Sequence, residues 1–198
     1  MYNRIVKRLL DLVLSLLLTP LLVIICLIFG ILIYTEDKGP IFYIAERRGI
    51  HGKVFNMYKL RSMKVNAPDI RNKDNSTFNG EDDPRVTRIG KFIRKSSIDE
   101  IPQLINVIIG DMSFIGPRPS LVSGNYDDLD FFRKKRLEVR PGITGYSQAY
   151  FRNSISQEEK VKKDCIYIDN ISFMLDVKIF LKTIKAVFFR KNIYNNKK

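Results

Sequence analysis

The sequence predicts a helix-rich α+β fold, a monotopic membrane protein in which an N-terminal re-entrant helix carries a small cytoplasmic domain. Three features predict it: an uncharged apolar run near the N-terminus, a pair of strand-like segments around a glycine turn, and helical patterns through the C-terminal third. The expected organisation is residues 1–36 as the membrane helix, 37–190 as the folded domain and 191–198 as a basic polar tail.

No charged residue occurs from Leu12 to Tyr34. About 20 apolar residues suffice to cross a bilayer, so length alone permits a span. The flanks speak against one. Arg4, Lys7 and Arg8 precede the run, and Lys38, Arg47, Arg48, Lys53 and Lys59 follow it. Positive charge marks the cytoplasmic side, and here both sides carry it. Thr19-Pro20 lies inside the run, where proline removes one helical hydrogen bond and crowds the preceding turn. Together these predict a helix that breaks near Thr19-Pro20 and returns to the face it entered from. A plain transmembrane helix is the alternative. A cleaved signal is disfavoured, because the run exceeds an h-region (about 7–15 residues) and no small-x-small site follows.

After Asp37-Lys38-Gly39-Pro40, Ile41 to Ile44 and Lys53 to Tyr58 read as strands joined by the turn Gly49-Ile50-His51-Gly52. Lys59 and Arg61 fall where the second strand ends. Residues 66–83 are polar and read as a loop. A short basic helix over Lys91 to Arg94 follows. Beyond Pro119, helices are expected over Asp127 to Val139, Gln157 to Tyr167 and Ile171 to Phe189, with Ile143 to Tyr146 as loop. The last helix sets Lys178, Lys182 and Lys185 on one face and Ile179, Phe180, Ile184, Val187 and Phe188 over much of the rest. That pattern suits either core packing or a membrane interface.

A chain of 198 residues has room for one domain with a modest core. Its net charge of +13 implies an anionic partner: nucleic acid, an acidic membrane surface or a phosphorylated substrate. Helix-turn-helix, zinc and RNA-binding signatures are missing, so nucleic acid is not expected. A single histidine, His51, leaves little for a histidine-based metal site or triad. Cys26 and Cys165 lack metal-ligand spacing, and Cys26 lies within the apolar run, which argues against a disulfide.

The chemistry concentrates in Ser96-Ser97-Ile98-Asp99-Glu100-Ile101-Pro102-Gln103, followed by Gly116-Pro117-Arg118-Pro119. One carboxylate can attack phosphorus, a second can hold a divalent cation, and arginines can clamp phosphate oxygens. A purely structural alternative exists: Ser97-x-x-Glu100 fits a capping box, with Asp99 merely in the first helical turn.

Across nearly its whole length the sequence resembles the monotopic phosphoglycosyl transferases, or bacterial sugar transferases. The resemblance rests on Lys7-Arg8-x-x-Asp11, Lys59-x-Arg61-Ser62-Met63, Asp83-Pro84-Arg85 and Ser97 to Gln103. It continues through Gly110-Asp111-Met112-Ser113, Gly116 to Pro119 and Arg140-Pro141-Gly142-Ile143-Thr144-Gly145, all in the family's order. It implies transfer of a phosphosugar from a UDP-sugar to polyprenyl (undecaprenyl) phosphate with release of UMP, starting a surface glycan. Asp99 matches the nucleophile that forms a covalent phosphosugar intermediate, and Glu100 the carboxylate that supports Mg²⁺. Lys59, Arg94 and Arg118 match cationic positions of the pocket, and Arg61 is a further substrate-binding candidate. Thr19-Pro20 stands where relatives often have Ser-Pro. The implied setting is the cytoplasmic face of a bacterial inner membrane, with membrane lipid and later glycosyltransferases of the same pathway as further partners. Ala45, Tyr146 and Phe151 (before Arg152-Asn153) depart from residues common in the family, which leaves the sugar open. From another class, the alternative is a non-catalytic basic membrane protein binding anionic lipid or nucleic acid.

Overall fold

A long apolar helix lies along a small mixed domain. The computed structural model describes residues 2–70, 78, 80, 82–152 and 154–188. The expected tail at 191–198, most of the polar loop after Ile70, and Asn153 and Phe189 lie outside these residues.

Helix α1 runs without interruption over Lys7–Asp37 and is long and apolar enough to cross a membrane. The expected break at Thr19-Pro20 is therefore not a gap in the helix. Proline removes a single donor, and its fixed φ is itself helical, so the turns on either side can persist. Thr19 Oγ1 donates back to the Ser15 carbonyl at 2.9 Å. Buried positions Lys7, Asp11, Ser15, Leu22, Gly30 and Ile33 recur at helical spacing and form one stripe. The opposite face, with Leu9, Val13, Leu17, Leu21, Leu27 and Ile31, is exposed.

Strands β1 (Phe42–Arg48) and β2 (Val54–Leu60) form an antiparallel hairpin, in register from Phe42 opposite Leu60 to Arg48 opposite Val54. Each begins one residue later than the segment predicted from sequence and ends beyond it, at Arg48 and Leu60. Strand β4 (Ser120–Leu121) adds to β1 at Arg47 and Arg48, giving the order β2-β1-β4. Alternation sends Phe55 and Met57 of β2 into a core with Ala45, Val107 and Met112. Two residues on, the same period aims Lys59 to that side.

Helix α2 (Arg88–Ser96) starts at Thr87, whose side chain accepts from Gly90 N. Its first turn also gives Arg88 N and Ile89 N to the Glu36 carboxylate of α1, at 2.7 and 3.1 Å. Ser97 ends it in left-handed geometry (φ 58°). A single 3₁₀ turn over Ile98–Glu100 follows, then α3 (Gln103–Ile109), which Gly110 closes at φ 105°. Ile33 of α1, Leu60 and Ile93 share a core with Ile25, Cys26 and Phe29, so α1 and the domain are packed as one body.

Strand β3 (Ser113–Ile115) pairs in parallel with β5 (Gly142–Thr144), a stretch read from sequence as loop. The two chains approach so closely that a Cβ on Gly142 would lie 2.1 Å from Gly116 N. Only glycine fits there. The expected helix over Asp127 to Val139 contracts to α4, Phe131–Arg136, with Asp130 as its cap. Helix α5 spans Tyr146–Tyr150, α6 Gln157–Asp169 and α7 Phe173–Phe188. On α7, Ile179 is fully buried whereas Phe180, Ile184 and the three lysines face outward.

Candidate active site

The capping box proposed for Ser97 and Glu100 does not form. Ser97 makes no side-chain cap bond; it closes α2 instead, and α3 begins only at Gln103. The capping box that is present joins Ser156 and Glu159 at the start of α6. Freed from capping, Glu100 turns to the cations. Its Oε1 receives Lys59 Nζ at 2.6 Å and lies 3.6 Å from Arg118 Nη1.

Two opposite environments result on adjacent residues. Burial pushes the Asp99 carboxyl up to about 6; the neighbouring Glu100 charge adds to this, and Lys59, Arg94 and Arg118 oppose it. Burial acts on Glu100 in the same direction. There the charges of Lys59 and Arg118 and their hydrogen bonds outweigh it and hold the carboxyl below its ordinary range. At neutral pH both carboxylates are ionised, but Asp99 is the more basic. A basic, poorly compensated oxygen is suited to attack, and a firmly ionised one to holding a cation.

Lys59 and Glu100 are only 14% and 22% exposed, whereas Arg118 is 55% exposed, so its guanidinium faces solvent beside Glu100. The backbone of its loop is tied to β5: Gly142 N donates to Pro117 O and Gly116 N to Thr144 O, both at 2.9 Å. The Arg140 to Gly145 motif thus supports the arginine loop from beneath. Arg94 donates from Nε to Ser62 Oγ at 2.8 Å, and its charge bears on Asp99.

Arg61 departs from its expected role. It gives Nη1 and Nη2 to the Asp37 carboxylate, Nε to Pro40 O, and Nη1 also to Met63 O. It locks β2 to the end of α1, and all three nitrogens are spent on the fold. Arg85 is likewise occupied by the buried Asp83 carboxylate at 2.7 Å.

Two residues that matter here escaped sequence reasoning. Arg152 lies in a stretch that departs from the family pattern, yet its charge bears on Glu100. Asn106 is fully buried on α3; its amide donates to Asn56 O at 2.7 Å and accepts Tyr58 N at 3.0 Å. It thereby fills the open edge of the strand that carries Lys59. A lone asparagine inside Leu104 to Ile109 was the available signal.

The residues able to hold a metal are Asp99 and Glu100; no cluster of three His, Cys, Asp or Glu occurs among the described residues. Two adjacent carboxylates beside Lys59 and Arg118 are hard oxygen donors of the kind Mg²⁺ takes, since that ion needs only one or two from a protein and keeps several waters.

Residues 2–190 match the family described as bacterial sugar transferase. The chain is 41% identical over 192 residues to "Uncharacterized sugar transferase EpsL" of Bacillus subtilis (strain 168), covering 96% of this chain and 90% of that protein. It is 46% identical over 161 residues to "Galactosyl transferase CpsE" of Streptococcus agalactiae serotype III, covering 77% of this chain and 35% of the other. "Undecaprenyl-phosphate galactose phosphotransferase" of Salmonella typhimurium is 38% identical over 212 residues, covering 97% and 42% respectively. The chain therefore spans less than half of the last two relatives and nearly all of the first. It belongs to the bacterial sugar transferase family.

Proposed function

We propose that this protein transfers a sugar 1-phosphate from a UDP-sugar to a polyprenyl phosphate by two displacements at one phosphorus. An Asp99 carboxylate oxygen attacks the β-phosphorus; the bond to the bridging oxygen breaks and UMP leaves. A phosphate oxygen of the lipid then attacks the same phosphorus, and the Asp99 carboxylate is the leaving group. Lys59 and Arg118 neutralise phosphate charge, without which one anion could not approach another. Glu100 would hold Mg²⁺, which when bound supplies further charge neutralisation at the diphosphate. The observation that carries the reading is the divided pair: Asp99 raised by burial, Glu100 held ionised by Lys59 and Arg118.

The same reading takes α1 as re-entrant, on the cytoplasmic face of a bacterial membrane. What supports this is that both of its ends dock on one domain. Lys7 pairs with Asp176 at 2.6 Å near its start, and Asp37 pairs with Arg61 at 2.5 Å at its end. Two ends held by one domain favour the same membrane face for both, and the exposed apolar face of α1 is the surface that would meet lipid. The product would start a surface glycan and pass to later glycosyltransferases.

The test is UMP release from a panel of UDP-sugars with undecaprenyl phosphate and Mg²⁺, together with intact-protein mass spectrometry without lipid acceptor. A phosphosugar adduct on wild type that is lost in Asp99→Asn is expected. An adduct that persists in Asp99→Asn removes that residue from the role. Periplasmic labelling of a cysteine placed near residue 40, with Met1 inside, would establish a span instead.

A further inference from the structure

The motif Lys7-Arg8-x-x-Asp11 has a place in the fold beyond topology. Arg8 reaches from the first turn of α1 to the C-terminal end of α3, donating from Nη1 to Val107 O at 2.5 Å and from Nη2 to Ile108 O at 3.0 Å. Arg140 Nε holds the next turn, at Gly110 O, at 2.9 Å. One turn further along α1, the Asp11 carboxylate accepts the Phe114 N–H at 3.1 Å. Phe114 is the centre of β3, and β3 runs directly into Gly116-Pro117-Arg118. Helix α3 in turn begins three residues after Glu100.

We propose that Arg8 and Asp11 are positioning residues: the foot of the membrane helix grips both halves of the site and sets the spacing between the carboxylates and Arg118. One hand is on α3, behind Asp99 and Glu100. The other is on β3, behind the arginine loop. The inference rests on the transferase reading given above. It makes the membrane anchor part of the site's geometry as well as its tether. A charged fork on two terminal carbonyls is directional, so a lysine that keeps the charge cannot reproduce both bonds.

The experiment uses the full chain in lipid nanodiscs with the variants Arg8→Lys, Asp11→Ala and Asp11→Asn. Arg8→Lys preserves the basic flank, so insertion is not altered by a change of charge. Hydrogen exchange should rise over residues 103–112 in Arg8→Lys and over 113–121 in Asp11→Ala. UMP release should fall about tenfold in kcat for each, the worth of one bond to a charged group. The fraction of molecules that form the phosphosugar adduct should stay at the wild-type level, whereas a merely structural role would lower that fraction and leave the rate per competent molecule alone. Asp11→Asn, which keeps an oxygen toward Phe114 N, should recover most of what Asp11→Ala loses. Unchanged exchange in those segments, or unchanged kcat despite raised exchange, overturns the proposal. Wild type that releases no UMP from any UDP-sugar would instead overturn the transferase reading, and the exchange data would still decide whether the foot of α1 holds α3 and β3.

Discussion

Asp99→Asn should make the protein more stable at neutral pH while abolishing its chemistry. Burial is the largest influence on Asp99 and raises its carboxyl to about 6, so the ionised form is less favourable in the folded protein than in the unfolded chain. The unfolded value is about 3.9, and each unit of difference corresponds to about 1.4 kcal/mol, which sets a ceiling of about 3 kcal/mol. Asp99 is only half-buried, and solvent screening reduces the expected gain to roughly 1–2 kcal/mol. The sign follows from the raised value. Wild type carries no penalty below about pH 4, where Asp99 is protonated in both states, and accumulates it as pH rises toward about 6. The assay is thermal unfolding of both proteins in one detergent from pH 5 to pH 8. The advantage of Asp99→Asn should be full near pH 7.5 and about half gone at pH 5. An Asp99→Asn protein less stable than wild type at pH 7.5, or a difference independent of pH, would refute burial as the origin of the basicity of Asp99.

Glu100→Gln should do the reverse: it loses its attraction to Lys59 and Arg118 and destabilises the protein by roughly 1–2 kcal/mol at pH 7. Because the folded value is depressed, that gap should be present above about pH 4.3 and close as pH falls below it, as melts at several pH values can read. Activity should also be severely impaired, since a neutral amide is a poorer ligand for a hard cation; full UMP release by the folded variant would remove Glu100 from metal binding. Arg118→Lys keeps charge but loses the planar fork, and UMP release should fall about tenfold or more with unchanged melting. Asn106→Ala strands Tyr58 N and Asn56 O at the edge of β2 and should cost about 2–4 kcal/mol, read by denaturant or thermal unfolding.

Much of this was legible in the chain, because it depends on local period and order. The apolar run dictates a long helix, the alternation in residues 53–58 dictates a strand, and the same alternation carries Lys59 to the side of Phe55 and Met57. The pairing of Asp99 with Glu100 and the order of motifs around them pointed to the family. What local pattern could not decide was which partner each polar group would take. Ser97-x-x-Glu100 satisfies the rule for a capping box, yet Glu100 pairs with Lys59, 41 positions away. Arg61 looked like a pocket cation and is consumed by Asp37. Ile143 to Tyr146 reads as loop, because β5 exists only where β3 lies beside it and Gly116 and Gly142 let the backbones meet. Arg8 reaches carbonyls 99 and 100 positions away. A charge or a free backbone group fixes no partner by itself. Desolvation makes burial costly for any such group left unpaired, and the tertiary fold decides which oppositely charged or hydrogen-bonding neighbour is within reach.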